Sequence, residues 1–453
     1  MSKRCMFAVL LGVMVVSTAS LADWQHYEYT GPKYNVTINV CALNDISTQV
    51  AIAMLHESDF EEVTGITVRE TLLEFAPMVE AQKMDFLAGT GQFDVVAVDQ
   101  PSLGLYVTSG WITPLDDFIA DPELPSVDVE DIIPALLKPC GIWEGRLYAI
   151  PMGSYGNLFG YRTDLFKEAG IEAPPKTFEE FKCYARLLNN PPHVYGTVLY
   201  AHKGEYLSYD LGSYLWSWGA GYINGVDCSI PDWPKYHVAW DTPQGLDALK
   251  FYVSLYREGL VPPDCLVYDH IRFTEAFQVG KVAMGLMIQE AVGEPMENPE
   301  KSKVVGLIAY APVPGKINAE GVLVRTPHIG AHSLAINADS RNKEAAYRVL
   351  AFLIGREIGR EYILRGGKPF RFSHFFEEAY KVYPYLEAQR ENLPTGKCRP
   401  NIPEYPAVSE IFSTALHRVL SDPSLDVEEV MIEAARKANE EVLKPAYPEY
   451  YEE

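Results

Sequence analysis

No apolar run of the length a helix needs to cross a bilayer, about 18 residues, follows residue 22 of this 453-residue chain. A soluble body is therefore expected. Positive charge is scarce: 38 lysines and arginines stand against 61 aspartates and glutamates, for a formal net charge of −23. That balance argues against a nucleic acid or an anionic membrane surface as partner. Cysteine is sparse as well, seven in all, widely spaced and without a CxxC, which speaks against a zinc cluster. GxSxG, HExxH, a P-loop and GxGxxG are missing too, so nothing points to a catalytic nucleophile, a nucleotide or any cofactor. His328 and His332 in "HIGAH" are four apart, but the segment reads as the start of a strand, with no shared helical face, and no metal site is assigned.

What is present begins with a leader. Lys3 and Arg4 give residues 1–22 a basic start, "MFAVLLGVMVV" an apolar stretch too short to span a membrane, and "SLA" a small-residue cleavage site after Ala22. Cleavage there removes Cys5 and leaves Cys41, Cys140, Cys183, Cys228, Cys265 and Cys398. An even number in an oxidising compartment permits disulfides, and Cys228 with Cys265 is one candidate pair. The length suggests two domains or one bilobal unit.

Strands and helices alternate along the chain. "YNVTINVCAL" (34–43) suits a first strand, a helix is expected over 47–64, residues 76–88 have helical spacing, and "FDVVAV" (93–98) reads as a compact strand. This is α/β logic, with the loops at strand ends available to a ligand. In "RLYAIPMGSYGNLFGYRTDLFKEAG" (146–170), "LYAIP" and "LFGYR" read as short strands joined by small and polar residues. Thr163 or Asp164 should cap the helix that follows, and Thr177 with Glu180 has capping-box spacing. Gly153 and Gly156 suit a hinge that must absorb φ/ψ change, with Pro151 fixing the approach. Ser154, Tyr155 and Asn157 would then line the floor of a cleft. The C-terminal "YPEYYEE" reads as a solvated tail.

Six stretches in order carry a family resemblance: "FEEVTGITV", "GTGQFDVVAVDQPSLGLYVTSGWITPLDDF", "WEGRLYAIPMGSYGNLFGYRTDLFKEAGIEAPPKTFEEF", "EAFQVGKVAMGL", "SLAINADSRNKEAAYRVLAFL" and "RPNIPEYPAVSEIFSTALHRVL". Together they resemble the extracellular solute-binding proteins of ABC importers, the maltose-type family 1. The resemblance implies an α/β, two-lobed fold, each lobe built from discontinuous segments and joined by a hinge over a ligand cleft. The expected division is a leader at 1–22, an N-terminal lobe at 23–151 and 329–374, and a C-terminal lobe at 152–328 and 375–453. It implies a binding protein rather than an enzyme, monomeric and periplasmic, that closes on a small carbohydrate or polyol and serves permease subunits and an ATPase carried on separate chains. A periplasmic carbohydrate hydrolase and a binding protein serving a chemoreceptor are the alternatives.

Sugars and polyols present hydroxyl rims and apolar C–H faces, which suit acidic and amide groups beside aromatic platforms. Tyr209, Trp216 and Trp218 in "LSYDLGSYLWSWGAGYI" are candidate platforms, although the two tryptophans, two positions apart, cannot both face a cleft from one helix. Asn44, Asp45, Asp99 and Gln100 follow strands at positions where relatives contact ligand. Gln289 and Glu290 follow "AMGLMI", Gly330 opens "GAHSLAIN", and Arg371 in "GGKPFRFS" is a further polar candidate. The family commonly carries aromatics near 289–290 and near Ser409, and this chain does not, which favours a monosaccharide, sugar alcohol or small modified sugar over a long oligosaccharide.

Overall fold

The computed structural model describes residues 24–288 and 291–451. Nine strands carry the architecture: β1 (Val36–Leu43), β2 (Ile66–Leu73), β3 (Val95–Asp99), β4 (Ile112–Thr113), β5 (Ala149–Gly156), β6 (Leu158–Arg162), β7 (Met284–Met287), β8 (Ile308–Ala311) and β9 (Ile329–Asn337). They form two separate sheets. The larger runs β2-β1-β3-β9-β4, with β5 also paired to β9, and the smaller runs β8-β6-β7.

In the larger sheet β1 is parallel to β2 and β3, from Val36 opposite Ile66 to Leu43 opposite Leu73, while β9 returns antiparallel against β3, β4 and β5. "VVAV" of β3 is buried throughout, as expected of a central strand covered on both faces. Parallel strands need crossovers, and helices α1 (Ile46–Glu57) and α2 (Phe75–Ala88) supply them. Asp45 caps α1 by accepting from Thr48 N at 2.8 Å. The single helix expected over 47–64 is in fact two, because the backbone turns extended at Ser58, whose hydroxyl bonds Leu55 O at 2.7 Å. Asp59 completes the break by accepting from Tyr27 N at 2.6 Å.

Helix α3 (Pro134–Gly141) packs on β5 and β9. In the other lobe α4 (Phe178–Leu188) starts on the capping box that its spacing announced, Thr177 with Glu180. The preceding helix, Thr163–Glu168, has no side-chain cap: the Asp164 carboxylate is taken by Arg162 Nε at 2.7 Å and the Thr163 hydroxyl donates to Leu307 O at 3.1 Å. Helices α5 (Glu205–Ser217), α6 (Pro243–Arg257), α7 (Lys343–Leu353), α8 (Tyr385–Asn392), α9 (Tyr405–Ser421) and α10 (Val427–Ala438) complete the layers. Of these α5, α6, α9 and α10 pack on one another, α7 backs β9 and β1, and α8 lies on β8 and β6.

The C-terminal tail, expected to be solvated, is docked through Tyr447 and Tyr451, while Pro448, Glu449 and Tyr450 stay exposed. Tyr447 stacks on Tyr236 with ring centroids 4.0 Å apart and Tyr451 on His237 at 3.8 Å, while Tyr451 Oη donates to Tyr236 O at 2.8 Å. Aromatic bodies with polar tips bury their faces even in an acidic tail. All six described cysteines are free, so the Cys228–Cys265 pair is not formed.

Candidate ligand cleft

One residue, Asn157, separates β5 in the larger sheet from β6 in the smaller. Its N–H donates to His328 O at 2.9 Å, its carbonyl accepts from Asn392 Nδ2 at 2.9 Å, and its side-chain amide reaches Ser213 Oγ at 3.3 Å. Ser213 Oγ also accepts from His328 N at 2.8 Å. The chain segments that pass between the sheets are thus tied together at one point.

The glycines before it serve close approach rather than unusual backbone angles, since neither Gly153 nor Gly156 has a positive φ. A Cβ on Gly153 would lie 2.7 Å from Ser47 Oγ. Pro151 sits where the register of β5 against β9 slips, between His332 and Ser333, a place that tolerates a residue without an N–H.

Side chains alternate along a strand. Tyr155 therefore turns towards Asp99 and Arg399, while Ser154 turns the other way, buried, and donates to Pro369 O. Directly opposite Tyr155 is Gly330, where a Cβ would meet the Tyr155 ring at 2.3–2.5 Å. The absent side chain is what lets the ring lie over β9. Tyr155 Oη donates to Asp99 Oδ1 at 2.9 Å and accepts from Arg399 Nη2 at 3.3 Å. Burial, reinforced by the Asp99 charge, holds its pKa well above the ordinary phenol value, so the hydroxyl stays a donor.

Arg399 continues the chain into the second lobe. It donates to Glu205 at the start of α5, and Glu205 accepts from Ser409 of α9, whose hydroxyl lies 2.9 Å from Ser208 Oγ. The guanidinium sits 5.9 Å from the centre of the Tyr209 ring, and Gln100 Nε2 holds the Arg399 carbonyl at 2.7 Å. Polar groups from both lobes thus form one relay, Asp99–Tyr155–Arg399–Glu205–Ser409.

His328 completes the floor. Its ring lies 4.0 Å from Tyr209, 5.8 Å from Trp216 in near-parallel stacking and 6.2 Å from Tyr155. Burial pushes its pKa well below the ordinary imidazole value, with Arg399 acting in the same direction, so the ring is neutral. Both ring nitrogens lack a hydrogen-bond partner among the described residues, as do Gln100 Oε1, Asn157 Oδ1, His332 Nδ1 and Arg399 Nε. Buried polar atoms without partners are rare in folded proteins. Six such atoms lie here beside aromatic faces, His332 Nδ1 at 3.6 Å from Asp99 Oδ1, while others, among them Thr48 Oγ1, Asp241 Oδ1 and His374 Nε2, lie elsewhere in the molecule.

Of the residues expected from sequence, Asp99, Gln100, Tyr155, Asn157, Tyr209 and Gly330 come together here, with Trp216 behind His328. Trp216 presents its face rather than its N–H, which is spent on Asp227 Oδ2 at 2.7 Å. Asn44 and Asp45 lie at the carboxyl end of β1, on the same sheet edge as Asp99, but Asp45 caps α1 and Asn44 accepts from Gln49 at 2.8 Å. Trp218 packs away, against Phe178 at 5.0 Å and Phe251 at 5.1 Å. Arg371 is fully buried and donates to the carbonyls of Ile354, Val127 and Asp128, which places it in the body of the lobe rather than in the cleft. Gln289 and Glu290 lie outside the described residues.

Glu205, His328, Arg399, His332 and Phe75 were not expected as part of this floor. Positions 328 and 332 share a face when read with the strand period, which was the signal available. Both approach Tyr155, His332 at 5.4 Å, and the half-exposed Phe75 ring stands 6.4 Å from His332. A cavity of about 1110 Å³ lies elsewhere, under residues 24–34, where Arg348 stands 5.0 Å from the centre of the Tyr29 ring and 5.7 Å from that of Tyr34 and is hydrogen-bonded to Glu123 O at 2.8 Å.

Two α/β bodies, joined through Asn157, thus meet at a floor of aromatic rings and polar groups drawn from both. The profile of the bacterial extracellular solute-binding proteins matches residues 47–359. The chain belongs to that family. Its members are binding proteins. Among curated relatives, a mannitol-binding protein of Pseudomonas aeruginosa is 25% identical over 443 residues, which span 91% of this chain and 94% of that one. A solute-binding protein of Agrobacterium radiobacter, solved with ribitol, superposes with a TM-score of 0.73 at 26% identity and covers 90% of this chain and 99% of its own. One from Agrobacterium vitis with bound D-mannitol gives 0.70 at 22% identity, covering 91% and 99%. The fold is the two-lobed one of those structures. Among the described residues no helix is long and apolar enough to cross a membrane.

Proposed function

We propose that this solute-binding protein captures a neutral polyol or monosaccharide between its lobes, without chemistry, and hands it to an importer permease with a separate ATPase. The observation that carries this is the set of unpartnered polar atoms on Gln100, Asn157, His328 and Arg399 beside the faces of Tyr155 and Tyr209. Hydroxyls both donate and accept, so a polyol satisfies such a mixed set, while its C–H face lies on the rings. Fixed charge on the floor is Asp99 and Glu205 against Arg399, with His328 neutral, which disfavours a sugar phosphate or sugar acid. The ligands named for the mannitol-binding and ribitol-bound relatives support the same class.

In this reading residues 1–22 direct export and are removed, the protein works as a periplasmic monomer, and the lobes divide at Asn157, near 328 and near 374/375, which keeps α8 with β6 and β8 in the second lobe. The pairing of all of β5 with the larger sheet supports a first boundary at Asn157 rather than at 151/152. A ligand gripped from both lobes binds the closed form better and shifts the population towards it.

Thermal melts against ribitol, mannitol, tagatose, maltose, a sugar phosphate and a dipeptide test the reading. A neutral polyol or monosaccharide should raise Tm, since saturation at a hundredfold excess over Kd stabilises by about 2.7 kcal/mol. Recovery of the same compound unchanged after incubation is expected. Stabilisation by the peptide alone, or release of an altered sugar, would overturn it.

A further inference from the structure

Two cysteine sulfurs, Cys140 and Cys398, lie 4.0 Å apart in the interior. Cys140 ends α3 in the first lobe, and Cys398 immediately precedes the Arg399 that reaches Glu205 in the second. Their approach is fixed by backbone on both sides. Lys397 is bridged to the chain before β9, with Ile329 N donating to Lys397 O at 2.9 Å. Gln100 holds the carbonyl of Arg399 at 2.7 Å, Asn401 Nδ2 donates to Pro139 O at 3.0 Å, and Gly104 N donates to Asn401 O at 3.0 Å. Cys398 Sγ also lies 3.9 Å from Ala135 O. No other pair of the described cysteines is in contact; Cys183 is exposed, and Cys41, Cys228 and Cys265 are each buried alone.

We propose that Cys140 and Cys398 are joined by a disulfide in the exported protein, anchoring the segment that carries Arg399 to the first lobe. A bonded pair needs its sulfurs about 2 Å closer than they stand as thiols. The inference rests on the proposed export, because disulfides persist in an oxidising compartment. The reaction needs a disulfide-bearing oxidant. One cysteine thiolate attacks it, breaking the oxidant's S–S bond and forming a mixed disulfide. The second thiolate then displaces the oxidant sulfur, so two cysteine thiols leave as one disulfide and the oxidant as two thiols, with two electrons passed to it. Burial, then Cys398 and Asp99, push the Cys140 thiol up, so the exchange belongs to the folding chain, before the pair is enclosed.

The bond closes a loop of 258 residues and removes a crossing segment's freedom from the unfolded state. It also fixes the base of Arg399, leaving only its side chain to reach Glu205. The test is to express the full chain with its leader, denature without reductant, alkylate and digest. A Cys140–Cys398 linked peptide is expected, with Cys41, Cys183, Cys228 and Cys265 alkylated. Six alkylated thiols in leader-free protein would overturn the bond. A chain that keeps its leader and Cys5 would instead count against export. In that case the purified protein, unfolded and refolded with oxidised glutathione, decides the matter: the same linked peptide is expected, and its absence overturns the proposal. Oxidised protein should melt at least about 3 °C above the same protein held in dithiothreitol. Cys140→Ser and Cys398→Ser should each lose that difference and the double variant no more, while Cys183→Ser keeps it. Equal melting of oxidised and reduced wild type would remove the anchoring role.

Discussion

Gly330 shows how much one hydrogen atom decides. Only a glycine there lets the Tyr155 ring lie against β9, because any Cβ would sit within 2.5 Å of it. Gly330→Ala should displace the ring, break its bonds to Asp99 and Arg399, destabilise the protein by about 1–3 kcal/mol and weaken ligand binding at least tenfold. Calorimetric titration and denaturant unfolding check both. Buried histidines set the acid response. His328 and His374 are held neutral by burial, well below the ordinary pKa, so the unfolded chain binds protons that the fold refuses. Stability should therefore fall as pH drops below about 6.5, by up to about 1.4 kcal/mol per pH unit for each group. Asp210 has the opposite sign. Burial raises it to about 6, so the fold holds its proton more tightly than the unfolded chain, and its contribution is lost as pH rises from about 4 to 6. His374→Asn should reduce the slope of unfolding free energy between pH 5.5 and 7, read in denaturant at a series of pH values. At this scale the sequence exposed Tyr155, Asn157, Asp99, Gln100 and Tyr209, because each follows or interrupts a recognisable strand or helix. Arg399 and Glu205 carry no such local mark. Arg399 meets Tyr155 across 244 positions of chain and Glu205 across 194, and only the tertiary fold pairs them.

Elements explain which expectations survived. The capping box at Thr177 and Glu180 was legible because three residues suffice to make it. Thr163 and Asp164 failed as caps because the helix already begins at Thr163, with Arg162 at the cap position, whose guanidinium takes the Asp164 carboxylate. The hinge stretch was legible as an interruption, but its glycines were read as sources of backbone freedom when they are sites of close contact inside β5. The connector proper is Asn157, and its neighbours make a further expectation concrete. Asn392, at the end of α8, donates to the Asn157 carbonyl at 2.9 Å and accepts from Val313 N at 3.4 Å. It thereby ties the first crossing to the end of α8. Asn392→Ala leaves a buried carbonyl and N–H unsatisfied, at a cost of about 1–3 kcal/mol. The strand ladders on either side are untouched, so the loss should appear as faster amide exchange confined to residues near 157, 328 and 392 rather than throughout both sheets. Uniform acceleration would mean that the crossing point is not a separate unit.

For the whole molecule the deciding quantity is the free-energy gap between open and closed lobes. The Arg399–Glu205 pair joins the two lobes: Arg399 sits on a segment bonded to Gln100, and Glu205 opens α5 of the other lobe. The Glu205 carboxylate is half exposed, at 48%, so its pairing with Arg399 is worth about 1 kcal/mol rather than the larger value of a buried pair. Glu205→Gln should therefore destabilise the closed form by about that amount. Two readouts separate what the residue does. If Glu205 acts only as a latch, the radius of gyration without ligand should rise, and affinity for the best polyol should fall about fivefold, since both reflect one equilibrium. If it also touches the ligand, affinity should fall by much more than the change in radius accounts for. Wild-type protein should become more compact on adding that polyol, and the variant should reach the same compact limit at saturation. A bound variant that stayed extended would show that the pair is required to shut the cleft at all, and a wild type whose scattering did not respond to a confirmed ligand would end the closure mechanism.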